Sequence, residues 1–223
     1  AARDAGWAFD NEKWAHPATV APFRMARTAV TCAQFRDFVE AGGYERREWW
    51  SAAGWRARVE AGRDAPLYWR RQGRDWEMRR FDRWIALPED EPVMHVSAHE
   101  AEAWCRFAGR RLPTEEEWEY AACCTPGGAK RRHPWGDEPW TPARANLEGA
   151  GPASVNDHPQ GDNPWGVRQL VGNAWEWTST PFLPYPGFLR DPYKEYSEPW
   201  FGTHRVLRGG AFTSSPRIAT STY

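Results

Sequence analysis

Sixteen tryptophans in 223 residues, set among 19 glycines and 19 prolines, limit what this chain can fold into. Glycine and proline interrupt the sequence repeatedly, which favours loops and short elements over long helices. A core of that kind has to be held by large flat side chains packed among loops, and each indole buries a large area. The same rings suit a second use, as the lining of a ligand cavity. Both uses stay open at this level.

Three helix starts follow from capping chemistry. Thr31 with Gln34 opens a helix that carries Phe35, Phe38 and Val39 on one face and stops at Gly42-Gly43. Ser97 with Glu100 opens a second, with Ala101, Trp104, Cys105 and Ala108 inward and Gly109 as terminator. Thr114 with Glu117 opens a third, turning Trp118 and Ala121 or Ala122 to the core. Short apolar stretches at 18–26 and 205–212 are predicted strands. Residues 125–163 are predicted to be irregular. The fold class expected is α+β, one domain over 1–223, with few short helices, short antiparallel strands and long ordered loops.

The charge balance excludes several functions. Lysine and arginine total 29 against 30 aspartates and glutamates, so no global field draws in nucleic acid or an anionic membrane. Basic stretches at Arg70-Arg71, Arg79-Arg80 and Lys130-Arg131-Arg132 have acids beside them and read as solvated surface. No apolar run approaches the roughly 20 residues of a membrane-spanning helix. The four cysteines, 32, 105, 123 and 124, form no CxxC pair, and a disulfide between the adjacent Cys123 and Cys124 would be strained. A reduced, cytoplasmic location is the simplest reading. His95 and His99 stand four apart, but a cap at Ser97 leaves His95 outside the helix, and two histidines without a third ligand fall short of a metal site.

Dispersed motifs in a fixed order are more specific. They run from Phe9-Asp10-Asn11-Glu12 through Pro92-Val93, His95-Val96-Ser97 and Gly109-Arg110-Arg111-Leu112-Pro113-Thr114-Glu115 to Gly172-Asn173-Ala174-Trp175-Glu176-Trp177 and Arg208-Gly209-Gly210. This series resembles the formylglycine-generating-enzyme domain, a relative of the C-type lectin fold. Gly42-Gly43-Tyr44, Leu67-Tyr68-Trp69, Tyr185-Pro186-Gly187-Phe188 and the pair Tyr193 and Tyr196 resemble one branch of it. That branch is the iron-dependent sulfoxide synthases of ergothioneine, ovothiol and selenoneine biosynthesis.

The resemblance implies a non-haem iron, oxygen-dependent oxidoreductase that forms a C–S or C–Se bond on the imidazole of hercynine or histidine. Its partners are small molecules: that imidazole substrate, a thiol or selenium donor, and dioxygen. In such enzymes Fe(II) is held by three histidines of an N-terminal helical bundle. Nothing like that bundle stands in these residues, so the iron ligands are expected outside this chain, which opens at Ala1-Ala2-Arg3 and reads as a piece of a longer protein. Tyr193 is the catalytic candidate the resemblance implies and Tyr196 its rival; a phenol with a pKa near 10 is protonated at neutral pH and can give up its proton and retrieve it. Calcium is implied at Gln169, Gly172, Ala174 and Glu176, with Asn146 and Leu147 near a second site, where oxygen donors suit a hard cation.

The copper-dependent members of the wider family hold their metal on a cysteine pair after Arg-Gly-Gly. Here residues 211–223 contain no cysteine, and a copper(I) site needs soft thiolates. The sulfatase-activating reaction is not expected. The alternative reading is a non-catalytic binding module that displays residues 213–223 as a variable surface.

Overall fold

All three capping boxes form where the sequence places them. A computed structural model describes residues 8–223, so the opening Ala1-Ala2-Arg3 lies outside the described residues. Helix α1 spans Cys32–Glu40, capped by Thr31; α3 spans Ala98–Phe107, capped by Ser97; α4 spans Glu115–Cys123, capped by Thr114. In each, the cap oxygen accepts the N3 amide proton and the N3 side chain accepts the cap amide, which satisfies two otherwise unpaired donors. Gly42 ends the α1 region at φ +79°, a conformation open to glycine.

A helix, a three-stranded sheet and one strand of the second sheet were not expected from sequence. Helix α2, Ala52–Glu60, starts at Ser51, whose hydroxyl accepts the Gly54 amide proton without a reciprocal N3 acid. A three-stranded antiparallel sheet runs β1 Trp69–Gln72, β2 Asp75–Arg80 and β3 Arg83–Ala86, with Trp69 opposite Met78 and Met78 opposite Ile85. Its alternation is masked by arginine and tryptophan, whose long side chains cover one face while their polar ends reach water.

The second sheet pairs β4, Glu176–Pro181, with β5, Arg205–Arg208. The predicted strand at 205–212 therefore stops at Arg208, because Gly209 and Gly210 turn to φ +96° and +76°. A Cβ on Gly209 would lie 2.5 Å from the Leu170 carbonyl oxygen, so only glycine fits there. The predicted strand at 18–26 is corrected: it forms no ladder. Pro17 and Pro22 supply no amide proton, and Phe23 and Met25 pack instead against the Trp118 cluster. Residues 125–163 hold turns, isolated bridges and one short 3-10 turn, Pro159–Gly161.

Among the described residues the core has three centres. Phe35, Phe38, Tyr44, Trp50, Trp69 and Trp104 join α1 and α3 to the first sheet. Trp118, Ala121, Ala122 and Leu170 pack under α4, and Ala145, Leu147, Val171 and Ala219 tie the C-terminal segment in. Each large apolar side chain fully buried in this way contributes about 1.5–3 kcal/mol. Glu100 is buried with its carboxylate satisfied: it accepts the Ser97 amide proton at 2.7 Å and the Tyr44 hydroxyl at 2.5 Å, and pairs with Arg63 at 3.5 Å. The architecture is α+β.

Candidate active site

Helix α4 buries Trp118, Ala121 and Ala122, and the same periodicity turns Glu115, Glu119 and Cys123 to its other side. There they line a cavity of about 930 Å³. Its other walls come from residues 11–20, the β4–β5 sheet, the long connection between those strands, and Thr222 and Tyr223. The acidic first turn of α4 sits well against the helix dipole. The Glu115 amide also donates to Thr180 Oγ1 at 2.9 Å, which docks the helix on β4.

One charged cluster organises this cavity. Arg208, 5 % exposed, donates from Nη2 to Glu119 Oε2 at 2.5 Å and lies 3.7 Å from Glu115 Oε1. The Tyr185 hydroxyl donates to the same Glu115 oxygen at 2.6 Å. Burial, together with the Glu115 charge, raises the Tyr185 pKa far above the ordinary phenol value. A buried pair of this kind orients side chains more than it stabilises the fold, because desolvation offsets the Coulomb gain.

The two tyrosines singled out from sequence fall in different places. Tyr196 lines the cavity, its ring stacked on Phe9 with centroids 4.4 Å apart and planes 12° from parallel. Its pKa is pushed up to about 12, by burial first and then by Tyr223, Glu12 and Asp10. Tyr193 is 66 % exposed, just before the short 3-10 turn Lys194–Tyr196, and does not line the cavity. The aromatic rings serve both purposes anticipated: Trp118 is fully buried, whereas Trp14, Trp175 and Trp200 line the cavity.

The calcium candidates divide. Gln169 donates to the carbonyls of Ser154 and Asp157 at 2.8 and 3.0 Å and accepts from Asn173 Nδ2 at 2.6 Å, so its side chain is already committed to the protein. Asn146 Nδ2 donates to Gly151 O and Asn173 Oδ1, both at 3.0 Å. Gly172, at φ +87°, lies against the Asn146 carbonyl, and its own carbonyl accepts the Ala174 amide proton at 2.8 Å. The Leu147 side chain is core. Glu176 differs from these. It accepts the Trp118 indole proton at 2.8 Å, and burial still raises its pKa to about 7. A carboxyl whose pKa is raised by burial, with no cation among the causes of that shift, suits a hard ion.

Other sequence candidates separate as well. His95, at φ +60°, precedes the Ser97 cap and meets Tyr68 edge to face at 5.1 Å, while His99 packs against Gly54 in α2. Among the described residues no group of three or more His, Cys, Asp or Glu could hold a metal. Arg70 pairs with Glu77 at 2.6 Å, Arg80 with Glu91, and Lys130 with Glu119 at 3.2 Å. Sequence reasoning missed Glu115, Glu119, Arg208 and Tyr185 as one cluster. The spacing 115, 119 and 123 on a capped helix was the available signal. No helix among the described residues is long and apolar enough to cross a membrane.

Comparison with known proteins places this geometry in a family. Residues 2–222 match the sulfatase-modifying factor enzyme 1-like domain. The chain is 45 % identical to a hercynine oxygenase of Mycobacterium tuberculosis, over 97 % of this chain and 52 % of that protein. A hercynine oxygenase of Mycolicibacterium smegmatis is 44 % identical over 94 % of this chain and 50 % of its own length. A formylglycine-generating enzyme of Streptomyces coelicolor is 35 % identical over 93 % of this chain and 73 % of its own. The chain thus spans about half the length of the hercynine oxygenases it matches. It belongs to the sulfatase-modifying factor enzyme 1-like domain family.

Proposed function

We propose that this chain is the cavity-forming part of a non-haem iron, oxygen-dependent enzyme that forms a C–S or C–Se bond on the imidazole of hercynine or histidine. The observation that carries this reading is 45 % identity, across nearly the whole chain, to a protein named hercynine oxygenase. In this reading the iron ligands lie outside the chain. Iron supplies the activation of dioxygen.

The residues here have three tasks. Trp14, Trp175, Trp200 and Tyr223 line the cavity, and a well-placed aromatic ring attracts a quaternary ammonium by about 0.5–2 kcal/mol. Arg208, Glu115 and Tyr185 hold the cavity wall in one arrangement. Tyr196 keeps its Oη proton at neutral pH and can release it to an anion formed beside it. We assign the proton source to Tyr196, with the exposed Tyr193 as the rival that the same experiment tests. Calcium, as part of this proposal, is held by Glu176 with neighbouring backbone oxygens, without the Gln169 side chain.

The test uses the longest natural reading frame containing this chain, loaded anaerobically with Fe(II) and given hercynine or histidine with cysteine, γ-glutamylcysteine or a selenium donor. Oxygen uptake coupled to a new C–S or C–Se product is the expected result. Uptake that neither hercynine nor histidine stimulates would remove the proposal. The display-module alternative fares worse on geometry: within 213–223, Ala219 and Ser221 are buried, and Ser221 Oγ donates to the Ala122 carbonyl at 3.0 Å. A freely variable surface needs residues that do not hold the core together.

A further inference from the structure

Cys123 and Cys124 end α4 inside the cavity that Arg208 and Tyr185 line. Both are buried from bulk solvent, both line the cavity, and their sulfurs stand 3.6 Å apart. The backbone holds them there: Cys124 N donates to Tyr120 O at 3.0 Å, and Cys123 O accepts from Arg131 N at 2.7 Å. The other cysteines are elsewhere, Cys32 and Cys105 both lying in the cluster of α1, α3 and the first sheet.

The separation selects the chemistry. A disulfide needs about 2.05 Å between sulfurs and strains adjacent residues. Two bonds of about 2.3 Å to a shared atom instead span 3.6 Å at an angle of roughly 100°. That is the angle of a pyramidal, three-coordinate centre. A zinc ion is not satisfied by two donors, and no third His, Cys, Asp or Glu is placed to complete a site among the described residues. A trivalent arsenic atom carrying one organic group needs only two sulfurs.

We propose that Cys123 and Cys124 form a binding site for monoorganic trivalent arsenicals, closed by condensation at the wall of this cavity. The reaction is R–As=O plus two thiols, giving R–As(S–)₂ and one water: two As–S bonds form, the As=O bond is lost, and both thiol protons leave in that water. No oxidant or reductant is involved. The cavity of about 930 Å³ has room for the organic group. Burial pushes the Cys123 thiol up to about 12, with the Cys124 contact adding to it, so ordinary alkylating reagents that require a thiolate react slowly here.

The test treats the folded chain with phenylarsine oxide and reads the intact mass. The expected result is one adduct per chain, weighing the arsenical less one water, reversed by a dithiol and resistant to excess monothiol. Cys124→Ser and Cys124→Ala should weaken retention by on the order of 10²–10⁴-fold, the advantage of a two-point attachment. The Cys32→Ser/Cys105→Ser double variant should keep the adduct, which assigns it to Cys123 and Cys124. Absence of a dithiol-reversible adduct on the native chain overturns the proposal. So does full retention in both Cys124 variants, or its loss in the double variant.

Discussion

Phe9 and Tyr196, 187 positions apart in the sequence, lie face to face with ring centroids 4.4 Å apart. Beside them Asp10, buried, accepts the Ser197 hydroxyl at 2.8 Å and the Asp191 amide at 3.2 Å on one carboxylate oxygen. The Lys13–Asp191 pair at 2.8 Å completes the tie. The cavity wall bearing Tyr196 is therefore fastened to residues 9–13.

Asp10→Ala is expected to leave the Ser197 hydroxyl buried without its acceptor and to lower stability by about 1–3 kcal/mol. Urea denaturation measures this, and Ser197→Ala should cost less, since it removes a donor and leaves a carboxylate that retains the Asp191 amide. Equal losses would mean that Asp10 acts by packing alone.

Tyr196→Phe preserves the stack on Phe9 and deletes the proton. In the iron-loaded enzyme, under the proposed function, turnover should drop by about 10²-fold or more, or the product should change. Tyr193→Phe should change turnover less than about threefold. The reverse ranking transfers the role to Tyr193.

Glu176 links stability to pH. Its pKa rises from 4.5 to about 7 on folding, so the folded chain binds the proton more tightly than the unfolded one. The stabilisation is complete below pH 4.5 and disappears as pH rises through about 7, amounting to on the order of 3 kcal/mol. Thermal melts from pH 5 to 8 should show a falling midpoint that Glu176→Gln flattens. Millimolar calcium should restore the midpoint at pH 8 in the native chain and not in the variant.

Gly209→Ala should destabilise by about 1–3 kcal/mol, because φ is +96° and the new methyl would sit 2.5 Å from the Leu170 carbonyl oxygen. Chemical denaturation reads the loss. A neutral outcome would show that the Arg-Gly-Gly turn shifts freely.

Helix starts were legible because a capping box is local: Thr114 and Glu117 carry their hydrogen bonds within four residues. Strand pairing was less so. The 18–26 stretch has apolar residues like a strand, yet no neighbouring strand pairs with it, while Trp69 and Met78 pair inside a segment whose arginines hide the alternation. Of the site, Tyr196 was named from its motif. Its place in the wall depends on Phe9 and Ser197, which no spacing connects to it.

Local hydrogen bonding and motif order let the amino-acid chain alone set its α+β class, its three capped helices and its family. Tertiary structure alone decided that Arg208, Glu119, Glu115 and Tyr185 share one cavity, that Tyr196 lies in its wall and Tyr193 outside, and that Glu176 is held close to neutral. The reason is range: caps and turns act over a few residues, whereas desolvation and long-range ion pairing depend on which distant segments exclude water together.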